Sequence, residues 1–386
     1  MRILLVCSRF TVSGVPLAQI RLAKALSAAG HDVELIMGYV SDSSLIPRLD
    51  GIKIQVWSNQ RTVAMLPSLI RHLLTKKPDI VFSAEDHMNI IVLLSALLSR
   101  SAAKISCSSR VSPIDTHTQR FGAYSDVPFS KRWFLKQVMK IVMPRADVLT
   151  CVSIDMAKEY RKHFKNSRHV AVYNIVVDAM SLARMEEDID DEWFAEKKVP
   201  VIVAAGTLAR RKGFAELIQA FSQVRRKRHV RLLIMGEGPS RDMLGRLISD
   251  LNLDEDVRLP GIIENPLKYF RRSDVFVLSS FAEGLPNVLV EAMMCGCTPV
   301  ATDCPTGPRE VLSDGKYGYL VSVGDPMSIA SGIECALEKP IDRNLLAEAI
   351  APFEEQAVLA RHFKLLGLID DRRKCLHPAG QHRDSS

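Results

Sequence analysis

The chain has 386 residues, of which 47% are hydrophobic, and this length and composition favour two globular domains over one. The longest apolar run, near Ile90–Leu98, is shorter than the roughly 20 residues that a membrane-spanning helix needs, so we predict a core helix there. Residues 1–180 carry 24 Lys and Arg against 13 Asp and Glu, whereas residues 181–386 carry 27 against 31. The basic first half fits either a solvated face or an anionic partner, with nucleic acid, an acidic membrane and a diphosphate-bearing substrate all admissible.

The N-terminal segment Met1–Cys7 reads as a first strand and lacks a small-residue cleavage site. We therefore expect no signal peptide and a cytosolic location. The eight cysteines lie mostly within apolar runs, and the close-spaced pair Cys295 and Cys297 fits core packing better than a metal or redox site. No metal or cofactor is expected.

Strand-like runs alternate with helical patterns through the first half, which predicts a parallel sheet with right-handed crossovers. The strand-like runs are Arg2–Cys7, Val33–Met37, Ile52–Trp57, Asp79–Ser83, Lys104–Ser108, Val148–Val152 and Val170–Tyr173, and the helical patterns include Leu17–Ala28, Ala64–Leu74 and Ile154–Phe164. A polar loop containing Arg110 and His117 follows the fifth run. Open α/β sheets bind ligands at the carboxyl ends of their strands, so Arg110 and His117 are site candidates, although either can instead be an ordinary loop residue.

Residues 129–145 form a helical pattern with two faces. The predicted basic face holds Lys131, Arg132, Lys136 and Lys140, and the predicted apolar stripe holds Phe134, Leu135, Val138, Met139 and Val142. Two interpretations stay open: an ordinary amphipathic helix with its stripe in the core, and an interfacial helix on a membrane.

A charged stretch, residues 181–198, reads as a linker, and this position argues against its Asp188-Ile-Asp190 pattern as a metal site. A strand at Val199–Ala205 then opens the second domain, with Gly206 at its turn. Lys212 closes the next loop, ahead of a helix predicted over Phe214–Val224. A lysine at such a helix entrance can neutralise a phosphate.

The most informative segment follows the apolar run Asp274–Ser279, which predicts a buried strand. Glu283 and Glu291 are separated by seven residues, and Pro286 suits a first helical turn. The helix should begin near Pro286, with Glu283 in the preceding loop and Glu291 in the first two turns. Free N–H groups near Asn287 to Leu289 would favour an anion, and the two carboxylates suit sugar hydroxyls.

This segment resembles the E-x7-E signature of the retaining glycosyltransferases of family 4, of the type that builds bacterial surface polysaccharides. Further segments resemble the family's motifs in the family's order: Gly206–Phe214, Met235–Pro239, Leu259–Ile262, Ser273–Phe276, Pro299–Thr302, Gly307–Glu310 and Gly318–Val321. The resemblance implies the α/β GT-B architecture, which is two facing Rossmann-like domains with parallel sheets. The chain departs from the family pattern at Thr207, where an arginine is usual, and Arg210 or Arg211 is a possible substitute. A second departure is the loop after the first strand, where only Gly14 stands in place of a Gly-Gly pair.

The resemblance implies an acceptor-binding domain over residues 1–180, a nucleotide-sugar domain over 199–345 and terminal helices over 346–369 that cross back to the first domain. Residues 370–386 are polar and expected to be disordered. The implied donor is a nucleotide diphosphate sugar, a UDP-sugar by expectation. The implied acceptor is a glycan or a lipid-diphosphate-linked glycan at the cytoplasmic membrane face, and no nucleic acid is expected.

The resemblance also implies residue roles. Glu283 would accept from hydroxyls of the transferred hexosyl or N-acetylhexosaminyl group, Glu291 from the ribose, and Lys212 would hold the diphosphate. The remaining donor-site residues are Gly206, Arg211, Gly284, Leu285, Pro286, Asn287 and Val288, with Arg110 and His117 as further catalytic candidates and Gly14 near the site. Two other functions remain open: a sugar-nucleotide epimerase or hydrolase of the same fold, and a non-catalytic partner of another transferase.

Overall fold

The structure is a computed structural model that describes residues 1–10, 14–40, 51–58, 61–111, 113, 124–125, 127–165, 167–195 and 199–368. Two parallel sheets, each covered by helices, follow one another along the chain. This arrangement confirms the predicted α/β class with two Rossmann-like domains. The predicted tail 370–386 lies outside the described residues.

The first sheet has strand order β3-β2-β1-β4-β5-β6-β7, with all described neighbours parallel. Its strands are β1 Arg2–Phe10, β2 Asp32–Val40, β3 Ile52–Val56, β4 Ile80–Ala84, β5 Lys104–Ser109, β6 Val148–Cys151 and β7 Val170–Ala171. Ile3 to Val6 of β1 are buried on both faces, because helices cover both sides of a parallel sheet. This is why the strand reads as a continuous apolar run.

Helices of the first domain pack on both faces of this sheet. They are α1 Gly14–Ala28, α2 Leu66–Lys76, α3 Asp86–Ser99, α4 Lys131–Val142 and α5 Ile154–His163, with 3-10 turns at Thr62–Met65 and Met143–Arg145. Helices α2 to α5 contribute to the apolar cluster on one face, and α1 contributes to the cluster on the other. The run Ile90–Leu98 falls within α3, where Ile90 to Leu93 are buried. Within the part of the chain that is described, no helix combines the length and apolarity needed to cross a bilayer.

The second sheet has strand order β10-β9-β8-β11-β12-β13 and is also parallel. Its strands are β8 Val201–Ala205, β9 Arg231–Met235, β10 Val257–Gly261, β11 Val275–Leu278, β12 Thr298–Thr302 and β13 Tyr319–Val321. The order reverses between β8 and β11. This reversal places the ends of β8 and β11 side by side, at the position where open α/β sheets bind ligands.

Helices α6 and α7 occupy the stretch between the two sheets, and the later helices belong to the second half of the chain. The bounds are α6 Ala179–Met185, α7 Glu192–Ala195, α8 Phe214–Lys227, α9 Arg241–Asp250, α10 Leu267–Arg271, α11 Asn287–Met294, α12 Pro308–Val311, α13 Pro326–Glu338, α14 Arg343–Ile350 and α15 Glu355–Leu365, with 3-10 turns at Arg210–Lys212, Ser313–Gly315 and Ala351–Phe353. Trp193 and Phe194 of α7 are buried in a cluster of the second domain. Val358 and Leu359 of α15 pack in a cluster of the first domain, so the chain returns to that domain at α15.

In helix α4, the buried and exposed faces differ from those predicted from the sequence. Ser130 caps it by accepting from the Trp133 N–H at 3.1 Å. Met139 and Val142 are buried as predicted, but Phe134 is 51% exposed and Lys136 is 6% exposed. The amphipathic pattern failed at these positions because the aliphatic stem of a lysine packs well on an apolar surface: the Lys136 ammonium lies 5.9 Å from the Phe164 ring centre.

Candidate active site

The loop from Ser279 to Pro286 connects β11 to α11 at the point where the strand order of the second sheet reverses. Glu283 lies in this loop, as predicted, and its side chain is only 9% exposed. Ser280 Oγ donates to Glu283 Oε1 at 2.6 Å. Thr306 Oγ1 donates to the carbonyl of Glu283. These contacts hold both the backbone and the carboxylate of Glu283 in place.

Two cations lie beside the Glu283 carboxylate. Lys212 Nζ is 2.6 Å from Glu283 Oε1, and the Lys212 side chain is 13% exposed. Arg211 Nη1 donates to the Ala282 carbonyl at 2.8 Å and lies 3.8 Å from Glu283 Oε2. The sequence left Arg210 and Arg211 as alternatives for the charge absent at Thr207, and the structure places Arg211 next to Glu283.

Glycines allow the loop that carries Lys212 to approach the loop that carries Glu283. Gly213 has φ +66°, and a Cβ there would lie 2.0 Å from the carbonyl oxygen of Ser279. Such a contact is impossible without moving one of the two backbones, so a side chain at position 213 would displace Lys212 from Glu283. A Cβ at Gly206 would lie 3.4 Å from Lys212 Cε, so the lysine stem passes directly over Gly206.

The second half of the Glu283 loop packs between the two domains. Leu285 contacts apolar clusters of both domains. A Cβ at Gly284 would lie 3.1 Å from the Arg110 carbonyl, and a Cβ at Gly307 would lie 2.7 Å from Pro286 Cδ. The loop therefore has little room to move while the domains keep this arrangement.

Helix α11 begins at Asn287, directly after Pro286, in agreement with the predicted start. The sequence led us to expect free N–H groups at Asn287, Val288 and Leu289, and this expectation is wrong for two of these three. Asn287 N–H donates to the Leu285 carbonyl at 3.0 Å, and Leu289 N–H donates to the Pro286 carbonyl at 2.9 Å. The tight turn at Pro286 satisfies these two groups locally. Val288 is the one of the three for which the described residues provide no N–H acceptor.

Glu291 lies in the second turn of α11 and faces helix α1 of the first domain. Arg21 Nη2 is 2.9 Å from Glu291 Oε1, and Arg21 Nε is 3.8 Å from Asp178 Oδ2. The Glu291 and Arg21 side chains are 17% and 23% exposed. Sequence reasoning missed Arg21, because nothing in the pattern of α1 distinguishes it from an ordinary surface cation.

Arg110 lies at the end of β5 and connects the first domain to the start of α11. Its Nη1 donates to Asn174 Oδ1, and Asn174 Nδ2 donates to Asn287 Oδ1 at 2.9 Å. Arg110 Nε is buried, and the described residues offer it no hydrogen-bond partner. Burial lowers the pKa of Arg110 to about 10, so the side chain remains cationic at neutral pH. Asn174 gave no signal in the sequence.

Glu310 forms another polar contact between the domains that the sequence did not reveal. Its carboxylate accepts from the Ile154 N–H at 2.9 and 2.8 Å, at the start of α5. A carboxylate at a helix N-terminus is favourable because the N–H groups there lack partners within the helix. Tyr173 OH donates to Glu310 at 2.7 Å, and burial, together with this carboxylate, raises the pKa of Tyr173.

Two other predicted site residues are Gly14 and His117. Gly14 begins α1, and a Cβ built there meets no described atom within 4 Å. His117 lies outside the described residues. The described part of the chain holds no cluster of three or more His, Cys, Asp or Glu side chains with the geometry of a metal site. The assembled site is thus a nearly buried carboxylate with two cations and, on the following helix, a second carboxylate, a combination suited to hydroxyl and phosphate groups.

Two family models match the chain in the same order as its two sheets. A model described as Glycosyltransferase Family 4 matches residues 12–179, and one described as Glycosyl transferases group 1 matches residues 185–351. The chain belongs to glycosyltransferase family 4. The site described above lies within the second match, and Arg21, Arg110 and Asn174 lie within the first.

Two relatives agree with this family, and a solved structure agrees with the fold. The glycosyltransferase is 29% identical over 313 residues to an uncharacterized glycosyltransferase of Methanocaldococcus jannaschii, with 74% of each chain covered. It is 33% identical over 204 residues to the N-acetylgalactosamine-N,N'-diacetylbacillosaminyl-diphospho-undecaprenol 4-alpha-N-acetylgalactosaminyltransferase of Campylobacter jejuni, covering 53% of this chain and 54% of that protein. That match thus spans about half of the relative's length. The crystal structure of Anabaena HepE in complex with UDP has a TM-score of 0.75 at 18% identity, covering 96% of this chain and 100% of that one. At that identity the likeness shows the GT-B fold.

Proposed function

We propose that this glycosyltransferase retains the anomeric configuration while it moves a hexosyl or N-acetylhexosaminyl group from a nucleotide diphosphate sugar to a hydroxyl of a glycan or lipid-linked glycan, in cell-surface polysaccharide synthesis. The observation that carries the proposal is the pair Glu283 and Lys212, held 2.6 Å apart and nearly buried, with Glu291 on the following helix. This set brings together acceptors for sugar hydroxyls, on the Glu283 loop and α11, and a cation for a phosphate, on the loop that precedes α8.

Each residue of the set has a role that its chemistry supports. Glu283 accepts from hydroxyls of the transferred sugar, and Glu291 accepts from the ribose hydroxyls. An ammonium group has three donors, so Lys212 can keep its bond to Glu283 while it donates to the diphosphate. Arg211 adds charge on the same side, and Gly206 and the Gly284–Val288 segment let the donor approach the backbone.

The transfer breaks the bond between the anomeric carbon and the diphosphate oxygen and forms a bond from the acceptor oxygen to that carbon. The acceptor proton leaves with the diphosphate. Negative charge grows on the leaving group, and Lys212 and Arg211 stabilise it by prearranged charge. We therefore propose that the reaction needs no metal ion. Arg110 positions α11 through Asn174 and Asn287, while Gly14 and His117 are proposed to lie near the acceptor.

A UDP-sugar is the proposed donor, since the Anabaena protein with the same fold was crystallised with UDP. The proposed acceptor class follows the Campylobacter jejuni relative, whose name specifies a glycan on undecaprenol diphosphate. Such an acceptor would place the enzyme at the cytoplasmic face of a membrane.

The exposed side of α4 supports a membrane partner. Phe134 and Ile141 of α4 are 51% and 74% exposed, and Phe129, just before α4, is 80% exposed. Lys131 and Lys140, which lie between these residues in the sequence, are exposed as well. Apolar side chains among basic ones suit insertion at the surface of an anionic bilayer.

The test is a donor screen with and without acceptor. The enzyme is incubated with a panel of nucleotide sugars and a lipid-linked glycan mixture, and both nucleotide release and product mass are measured. A product heavier by one sugar residue, formed only with acceptor, is expected. Epimerised donor or rapid acceptor-free turnover would instead identify an epimerase or hydrolase, and inactivity with intact nucleotide binding would favour a non-catalytic partner.

A further inference from the structure

Arg21 is the first-domain residue that contacts a carboxylate of the proposed donor site. It projects from α1, and its guanidinium meets three oxygens: Glu291 Oε1 at 2.9 Å, Asp178 Oδ2 at 3.8 Å and the Ile175 carbonyl at 3.4 Å. Arginine suits this position because its planar guanidinium presents several donors in fixed directions, whereas a lysine offers a single charge.

The contact uses only one oxygen of Glu291. Oε1 accepts from Arg21, and no described residue donates to Oε2. A carboxylate whose first oxygen is held in this way can present its second oxygen in a defined direction. An unheld glutamate side chain must instead lose rotamer freedom when a ligand binds.

We propose that Arg21 is a positioning residue for the donor: it orients Glu291 so that Oε2 accepts from a ribose hydroxyl. The inference rests on the proposed role of Glu291 and adds a first-domain residue to it. Arg21 does not contact the reacting atoms. It acts through Glu291. The affinity for the nucleotide therefore depends on Arg21 because Arg21 orients the carboxylate that binds the ribose.

The anchoring of Arg21 makes this positioning depend on how the domains meet. Asp178 caps α6 by accepting from the Ser181 N–H at 2.7 Å, and Ile175 belongs to the segment that leads from β7 to α6. Arg21 thus joins α1, the connection between the domains and α11. Glu291 is oriented only while these three elements keep the observed arrangement, so ribose recognition depends on how the two domains meet.

The experiment measures nucleotide affinity by calorimetry for the wild type, Arg21→Ala and Arg21→Lys. The ligands are the nucleoside diphosphate that binds most tightly in a panel, its 2′-deoxy form, its 3′-deoxy form and inorganic pyrophosphate. Lys24→Ala is the matched control, because Lys24 lies one turn further along α1, and its Nζ lies 3.7 Å from Met180 Sδ rather than near Glu291. Melting temperatures verify that each variant folds.

Arg21→Ala should weaken the ribonucleoside diphosphate about threefold to tenfold, from the regained rotamer freedom of Glu291. One or both deoxy forms should bind the wild type more weakly than the ribonucleoside diphosphate does. Arg21→Ala should reduce this difference in affinity, while the affinity for pyrophosphate stays unchanged. Arg21→Lys should have a nucleotide affinity between those of the wild type and Arg21→Ala, and Lys24→Ala should leave the affinity unchanged. In a Glu291→Gln background, Arg21→Ala should have no further effect on that difference, as expected for two residues acting as a unit.

Two results would overturn the proposal while leaving the proposed function intact. Unchanged or tighter nucleotide binding by Arg21→Ala would show that Arg21 does not orient Glu291, or that it competes with the ribose. If Arg21→Ala weakens pyrophosphate binding as much as it weakens nucleotide binding, Arg21 acts only as a general positive charge. If Glu291→Gln itself leaves nucleotide affinity unaltered, or if the wild type binds no nucleoside diphosphate, the assigned role of Glu291 fails first, and the inference fails with it.

Discussion

Replacing Lys212 with alanine should lower turnover much more than it lowers stability. The ammonium lies 2.6 Å from Glu283 Oε1, and both side chains are nearly buried. Two other groups lie beside the Glu283 carboxylate: Ser280 Oγ donates to Oε1 at 2.6 Å, and Arg211 Nη1 lies 3.8 Å from Oε2. The ligand-free variant should keep both contacts, so its Glu283 carboxylate retains polar partners. In the proposed transition state, by contrast, the leaving diphosphate would lose a cation that stabilises its charge. Losing one such stabiliser costs about 10²–10³-fold in kcat, or about 2.7–4 kcal/mol.

The assay compares kcat, nucleotide affinity and melting temperature for Lys212→Ala, Lys212→Arg and a control. Lys227→Ala is the control, because Lys227 also pairs with a carboxylate, Glu334, at 2.7 Å, but its side chain is 66% exposed. The control should retain kcat. A Lys212→Ala enzyme with wild-type kcat would place the diphosphate elsewhere. A variant that loses its fold would be assessed by Lys212→Arg, which keeps the charge and should keep the fold while turnover falls.

Four further predictions follow from the same structure. Glu291→Ala removes a charge-assisted hydrogen bond worth about 1.5–3 kcal/mol, so nucleotide affinity should fall more than tenfold by calorimetry, and unchanged affinity in a folded variant would refute the ribose role. EDTA should leave the rate nearly unaltered, whereas an absolute need for added Mg²⁺ or Mn²⁺ would contradict the metal-free proposal. Burial, with a smaller contribution from the charge of Arg110, lowers the pKa of His362 to about 3. Below about pH 6.5, His362 therefore binds a proton in the unfolded chain but not in the folded one. As the pH falls from there to about pH 3, the free energy of unfolding decreases by about 1.4 kcal/mol per pH unit. His362→Gln should flatten this acid loss in denaturant titrations between pH 7.5 and 5.5, and an equal slope in both proteins would exclude His362 as its source. Replacing Lys131 and Lys140 should release the enzyme from anionic vesicles, since each cation contributes roughly 1 kcal/mol, and equal binding to neutral vesicles, or none to either kind, would refute the membrane proposal.

The local part of the site could be predicted from the sequence, because its signals are local. The apolar run of β11, Pro286 and the spacing of the two glutamates together placed Glu283 in a loop and Glu291 on a helix, and the structure confirms both positions. Lys212 was found by the same kind of reasoning, since it lies just before Gly213, the residue that caps the start of α8. Their functional roles stay predictions.

Contacts between the domains could not be predicted, because no pattern along the chain encodes them. Arg21 and Glu291 are 270 residues apart, and Glu310 and Ile154 are 156 residues apart. Arg21 and Glu310 each look like an ordinary surface charge in their own helices. Asn174, which joins Arg110 to Asn287, belongs to an irregular segment without periodicity.

Helix α4 shows a different limit of sequence reasoning. Its period was correct, and Met139 and Val142 are buried. The face was misassigned at Lys136 and Phe134, because burial of a lysine stem and exposure of a phenylalanine depend on the neighbouring surface and not on residue type alone.

The most direct test of the central claim is a crystal structure of the enzyme with UDP and a non-transferable analogue of its sugar donor. We expect the ribose hydroxyls within hydrogen-bond distance of Glu291, the diphosphate beside Lys212 and Arg211, and the sugar hydroxyls at Glu283. A nucleotide bound elsewhere, or bound in the same cleft with its ribose away from Glu291, would contradict it.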